Sequence, residues 1–201
     1  MKNISVIGLG SMGFGIAQSL IRSGYNVYGQ DKNTVQQKKL IEEGGLDAEI
    51  PFGDLDAVII VVLNEAQTRD IIFGEEGIAE KLKKHTLVIV CTTVSPNFAK
   101  EMATACENKE LLYLDAPISG GSIKSSQGKL SYMVSGSKNA LVAAKPILDS
   151  TSETVFEFGE VVGSGSAMKA VNQMLAGVHI AAMAEAITFG ITQGIEPERF
   201  L

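Results

Sequence analysis

The chain has 201 residues and a formal charge of -6, with a pI near 5.0. This is enough for one well-buried domain and part of another, and the acidic balance argues against a nucleic-acid surface, which needs clustered Lys and Arg. Cys91 and Cys106 have no metal-ligand spacing, and so few cysteines point to a reducing, cytoplasmic setting without a disulfide framework or a metal. The opening MKNISVIGLG is broken by Ser5 and glycines and carries no small-residue cleavage site. It reads as a strand and not as a signal peptide.

Strands are expected at Ile4 to Ile7, Asn26 to Gly29, Ala57 to Leu63, Leu87 to Thr92, Leu111 to Asp115, Leu130 to Val134 and Thr154 to Phe158. Helix-period segments lie between them at Ile16 to Ser23, Val35 to Glu43, Pro96 to Glu107 and Ala140 to Leu148. A last helix runs from about Ser166 to Gln193. The longest clean apolar run, Ala57 to Leu63, is far too short to span a bilayer, so no membrane segment is expected. Near-continuous apolar strands alternating with helices predict an α/β, Rossmann-type fold: a mostly parallel sheet with helices on both faces, whose ligands bind at the carboxyl ends of the strands.

Three glycine-rich motifs occur in order. The first, Gly8-Leu9-Gly10-Ser11-Met12-Gly13, follows a strand and runs into a helix, as in a dinucleotide fingerprint. Gly8 allows the tight turn, Gly10 lets a pyrophosphate approach the backbone, and Gly13 lets helix and strand pack closely. Asp31 closes the second strand at the spacing of the acidic residue that binds the adenosine ribose. A carboxylate there repels a ribose 2'-phosphate, so NAD is preferred; Lys32 beside it keeps NADP open.

The second motif, Asp115-Ala116-Pro117-Ile118-Ser119-Gly120-Gly121, sits where a strand ends. The amides of Gly120 and Gly121 with the Ser119 hydroxyl can seat a substrate carboxylate; a plain strand-to-helix turn is the alternative. The third motif runs from Gly163 through Lys169 to Gln173. Lys169 and Asn172, three residues apart, share one helix face. Met168, Val171, Leu175, Val178, Ala181 and Ala182 give the lysine apolar surroundings, and burial there disfavours its charged form. A lysine and an asparagine at the edge of a nucleotide fold can serve an alcohol that loses a proton and a hydride, which suggests a dehydrogenase. His85 reads as surface, His179 as a packing residue and Cys91 as buried, with no catalytic role. Lys124 reads as solvated.

GLGSMG, DAPISGG continuing to Gly128, and GSGSAMKAVNQ together resemble the 3-hydroxyisobutyrate dehydrogenase-like beta-hydroxyacid dehydrogenases, relatives of 6-phosphogluconate dehydrogenase, over the whole chain. The segments LNEAQT, DAPISGGSIKSSQGKL and LAGVHIAAMAEAITFG narrow the resemblance to the branch acting on a four-carbon sugar acid. The resemblance implies an enzyme that oxidises a small hydroxy acid with NAD(P). Lys169 would be its general acid/base and Asn172 the supporting amide, with Ser119, Gly120 and Gly121 as the substrate loop. Leu63 and Thr93 would lie beside the nicotinamide. Asn64 departs from a common proline and Ser125 from a frequent alanine, changes that bear on loop shape and substrate fit.

Residues 1–162 are thus expected to form an NAD-binding Rossmann domain. Residues 163–201 would be an interdomain helix that begins a truncated all-helical domain, since proteins of this kind continue into helices that close the active site and build the dimer. The expectation is weak turnover in this form, retained cofactor binding and a homo-oligomer formed through the C-terminal helix. Other members of the family, acting on 3-hydroxyisobutyrate or on tartronate or succinic semialdehyde, and a non-catalytic module that binds NAD or senses its redox state, are the alternatives.

Overall fold

A computed structural model of the chain describes residues 2–200; Met1 and Leu201, the outermost positions of the two expected domains, lie outside the described residues. Five parallel strands make the frame: β1 (Asn3–Ile7), β2 (Asn26–Gln30), β3 (Ala57–Ile60), β4 (Leu87–Val90) and β5 (Leu112–Asp115), in the order β2-β1-β3-β4-β5. The sheet continues through β7 (Leu130–Gly136), antiparallel to β5. β7 also pairs antiparallel with the short β6 (Ile118–Ser119) and parallel with β8 (Ser152–Glu157). The strand order reverses beside β1, which puts the ligand crevice at the carboxyl ends of β1 and β3.

The near-continuous apolar strands follow from burial on both faces. Successive side chains point to opposite sides. Ile4, Val6, Ile59, Ile89 and Leu114 join one core with Ile16, Ala17 and Leu20 of α1 (Gly13–Arg22) and Ala140, Ala144 and Ile147 of α6 (Lys138–Thr151). Ile7, Val58, Ile60, Val88 and Val90 join the other, with Ile72 of α3 (Glu65–Phe73) and Phe98, Ala99 and Met102 of α4 (Pro96–Glu107). α2 (Thr34–Glu42) adds Leu40 to the first core. Ser95 caps α4, accepting from the Phe98 amide at 3.3 Å, and Pro96 occupies the first turn, where its missing N–H costs nothing.

α3 and the six-residue α5 (Gly121–Ser126) had not been expected. The signal for α3 was present in Asn64-Glu65-Ala66-Gln67: the Asn64 side chain accepts from the Gln67 amide at 3.0 Å, while Gln67 Oε1 accepts from the Leu63 amide at 3.0 Å. This reciprocal arrangement is a near relative of the capping box. It also gives a structural meaning to the asparagine at position 64. β3 and β4 end earlier than expected, at Ile60 and Val90; after β3 the apolar run continues past the ladder into Val61 to Leu63, which line the crevice.

The last helix, α7 (Ser164–Thr192), has 29 residues and a mean hydropathy of 1.6 over its most apolar stretch, long and apolar enough to cross a membrane. Counting only unbroken apolar runs does not register this helix. His179 and Glu185 are the charged or polar breaks toward the middle of this run, and Lys169 and Asn172 lie before its most apolar part. A correction concerns its apolar residues. Met168, Val171, Leu175 and Val178 are exposed, so they do not enclose Lys169; Ala181, Ala182 and His179 are exposed as well.

Candidate active site

The fingerprint loop leaves β1 at Gly8 and enters α1 at Gly13. Gly8 adopts φ +94°, and a Cβ on Gly13 would stand 1.8 Å from the Gly8 carbonyl oxygen, so both positions exclude any side chain. At Gly10 nothing lies within 4 Å of where a Cβ would project; that opening leaves backbone free to meet a ligand. No side chain caps the start of α1. The positive end of the helix dipole at this turn forms a site for phosphate. Around the loop is a cleft of about 570 Å³. It is lined by Gly8, Gly10, Ser11, Met12 and Gly13 together with Asp31, Lys32, Val61, Val62, Leu63 and Gln67.

Asp31, at the tip of β2, has a second role that its spacing alone did not reveal. Its Oδ2 accepts from the Leu9 amide at 2.6 Å and its Oδ1 from the Asn33 amide at 2.7 Å. The carboxylate therefore pins the fingerprint to the second strand while keeping lone pairs for a ligand in the cleft. Leu9 itself is buried in the core, and only its backbone belongs to the loop surface. Leu63 is 85% exposed at the rim, and Thr93 is exposed beyond the end of β4, next to the buried Thr92, whose hydroxyl accepts from the Val62 amide at 3.2 Å. Val61, Val62 and Gln67 line the cleft and are not singled out by the sequence; the overlong apolar run after β3 is the trace of the two valines, and the cap of α3 that of Gln67.

Gly8–Met12 and α5 are joined through Ser125. This buried serine donates to the Met12 carbonyl at 2.6 Å, and its own carbonyl accepts from Ser19 Oγ at 3.2 Å. α5 thereby rides on α1. Ser119 lies in β6, while Gly120 (φ +131°) and Gly121 (φ +75°) make the turn into α5. Lys124, exposed on α5, pairs with Glu153 at 3.3 Å, a contact that water and salt weaken.

Lys169 is 6% exposed, on the second turn of α7 where that helix packs against β7. Among the described residues no carboxylate forms an ion pair with it, and burial holds its amine below the ordinary lysine range. Asn172, one turn on, is half-buried. Asp115, fully buried at the end of β5, receives the start of the same helix. Its Oδ1 accepts from Ser166 Oγ at 2.6 Å, and its Oδ2 from the Ser166 amide at 2.9 Å, Ser135 Oγ at 3.0 Å and the Gly163 amide at 3.2 Å. Burial raises the Asp115 pKa and these bonds oppose the rise. Cys91 is buried as expected, and burial raises its thiol pKa.

The open Gly10, the uncapped α1 and the acidic β2 tip suit a dinucleotide, and the family comparisons agree. Residues 3–159 match the NAD binding domain of 6-phosphogluconate dehydrogenase, and residues 163–201 the NAD-binding segment of NADP-dependent 3-hydroxyisobutyrate dehydrogenase. The chain belongs to the 3-hydroxyisobutyrate dehydrogenase-like family. Within this family it is 40% identical over 200 residues to an L-threonate dehydrogenase of Cupriavidus necator, covering 98% of this chain and 67% of that protein. It is 44% identical over 198 residues to one of Haemophilus influenzae, covering 96% and 65%. The crystal structure of a 3-hydroxyisobutyrate dehydrogenase from Salmonella typhimurium superposes with a TM-score of 0.89 at 39% identity, over 97% of this chain and 69% of that one. The chain thus spans about two thirds of the length of the family members it matches.

Proposed function

We propose that this chain carries the cofactor half and the proton carrier of an NAD-dependent hydroxyacid dehydrogenase, and that its substrate is L-threonate. The observation that carries the reading is the buried, unpaired Lys169 on a helix that starts beside the carboxyl end of the sheet, with the open fingerprint in the same fold. The identity to L-threonate dehydrogenases supports the substrate. Residues 1–162 act as the Rossmann domain and 163–201 as the interdomain helix.

In this mechanism Gly10, Ser11 and Met12 hold the pyrophosphate against the start of α1, and Asp31 takes the adenosine ribose. Leu63 and Thr93 flank the nicotinamide half. Ser119 and the amides of Gly120 and Gly121 anchor the substrate carboxylate, which orients the carbinol carbon. A bound nicotinamide would supply the hydride acceptor for that carbon. Lys169 Nζ, neutral at the start of the oxidation, takes the hydroxyl proton, and Asn172 keeps the substrate oxygen in line with it. Burial assists by favouring the neutral amine. In reduction the same Nζ returns the proton.

The Asp31 carboxylate favours NAD over NADP, with Lys32 as the one lining cation able to meet a 2'-phosphate. The exposed face of α7 serves as a helical interface in a cytoplasmic homo-oligomer and does not enter a membrane: its first turn is bonded into the Rossmann domain and it buries a lysine there. The test is NAD-dependent oxidation of L-threonate beside 3-hydroxyisobutyrate and D-glycerate, with the Lys169→Ala variant as control. Threonate turnover lost in the variant is the expected result. Turnover of only another hydroxy acid would overturn the substrate, and NAD binding without any turnover would leave a non-catalytic dinucleotide module.

A further inference from the structure

We propose that Asp115 is a positioning residue: its carboxylate grips the first turn of α7 and so sets Lys169 in register with the Ser119–Gly121 loop. The inference rests on Lys169 as the proton carrier. Asp115 ends β5, in ladder with Val90 on one side and Ser135 on the other, so its backbone is held on both edges. The substrate loop begins four residues further along the same strand end. Ser166, which gives Asp115 both its amide and its hydroxyl, precedes Lys169 by three residues, about one helical turn. One buried group therefore joins the strand that launches the substrate loop to the turn that presents the lysine.

Nothing nearer can do this. The N-cap of α7 is Gly163, which has no side chain to offer, and the helix's first amides turn to Asp115 instead. Ser135 extends the grip, since its hydroxyl donates to Asp115 while accepting from the Gly165 amide at 3.0 Å. The fit is close: a Cβ on Gly165 would stand 2.3 Å from the Met133 carbonyl oxygen. Beyond this turn α7 is largely exposed, its buried residues being Gly165, Ser166, Lys169 and Gly190. The polar node holds the turn that leads to Lys169, and slack in the node becomes displacement of Lys169 Nζ.

Shape and charge can be separated here. In Asp115→Asn the amide oxygen can replace Oδ2, accepting from Gly163, Ser166 and Ser135, while the amide nitrogen donates to Ser166 Oγ, whose hydroxyl is free to rotate. In Asp115→Ala four donors lose their acceptor. The experiment measures kcat for L-threonate, NAD+ affinity, and hydrogen exchange over Gly163 to Asn172. Asp115→Ala is expected to lower kcat about 10- to 100-fold, as a misplacement of order 1 Å does, with NAD+ affinity held within about threefold and faster exchange over that segment. Asp115→Asn is expected to recover most of kcat and the slow exchange. Wild-type kcat in Asp115→Ala, parallel loss of kcat and NAD+ affinity, or no recovery in Asp115→Asn would each overturn the role. Should Asp115→Ala fail to fold, Ser166→Ala, which removes one donor, gives a smaller loss in the same direction or refutes the proposal. If the wild-type chain oxidises no hydroxy acid, the dehydrogenase reading fails on its own, and the exchange data still decide whether Asp115 sets the turn that carries Lys169.

Discussion

α1 and α7 begin alike and are finished differently. Each starts on a glycine-rich turn, and neither is capped by the side chain of its own N-cap residue. At α1 no side chain closes the first turn, which faces a cleft of about 570 Å³. At α7 a buried carboxylate from a distant strand closes it. The open end suits an anion that comes and goes; the closed end suits a side chain that must keep one position. One device, the helix N-terminus, thus serves binding in one place and rigidity in the other.

The largest expected effect comes from damaging the open end. Gly13→Val puts a branched side chain where a single Cβ would already lie 1.8 Å from a carbonyl oxygen. It should abolish NAD+ binding in a calorimetric titration and cost on the order of 3 kcal/mol or more of stability; tight NAD+ binding by this variant would contradict the described fingerprint. At the closed end, Lys169→Met keeps the stem and removes the charge. Turnover should drop at least about 100-fold, the usual contribution of a positioned acid or base. Stability should move the other way.

The sign follows from burial. The folded-state pKa of Lys169 is depressed, so the cost of its charge is present in full below that value. It is relieved as pH rises through the folded pKa toward the ordinary lysine range. Near neutrality Lys169→Met should therefore melt higher, by ~2–4 °C for each ~1 kcal/mol of relief in a chain of this size, and the advantage should shrink as pH rises through the folded pKa and be gone above the ordinary lysine value of about 10.4. A pH-independent difference in thermal melts would show that packing, not charge, sets it.

Ser125→Ala tests the tie between the two glycine loops. Losing the donor to the Met12 carbonyl should cost about 1 kcal/mol in chemical denaturation and weaken NAD+ binding only slightly. A change of tenfold or more in affinity would make Ser125 part of the cofactor site. The smallest effect is expected on the outer face of α7. Leu175→Glu with Val178→Ser alters residues 46% and 58% exposed, so the melting of the Rossmann domain should shift by no more than about 0.5 kcal/mol. Self-association in sedimentation should decrease; an unchanged oligomer would place the interface elsewhere.

Much of this was legible in the chain because it depends on local rules. The five parallel strands, α1, α2, α4, α6 and α7 follow from apolar period and capping chemistry. What was missed has local causes too: α3 is only weakly amphipathic and was signalled by its cap alone, while α5 and β6 are too short for any period to register. The overlong β3 and β4 arose because periodicity reports burial and not pairing. The residues expected in the site were chosen for their chemical type and their place after strand ends, which is why Lys169, Asp31 and the glycine loops were named. The second roles of Asp31 and Ser125, and the grip of Asp115, were not, since each depends on partners far along the chain.

The sequence by itself determined the α/β class, the fingerprint and the presence of a lysine able to carry a proton, because steric tolerance and side-chain chemistry belong to each residue wherever it lies. Only the tertiary structure decided that Lys169 is buried while its apolar helical neighbours are exposed, and that Asp115 closes a helix whose start lies 48 residues away. Burial and hydrogen-bond geometry are set between segments, so they are not written in any one of them.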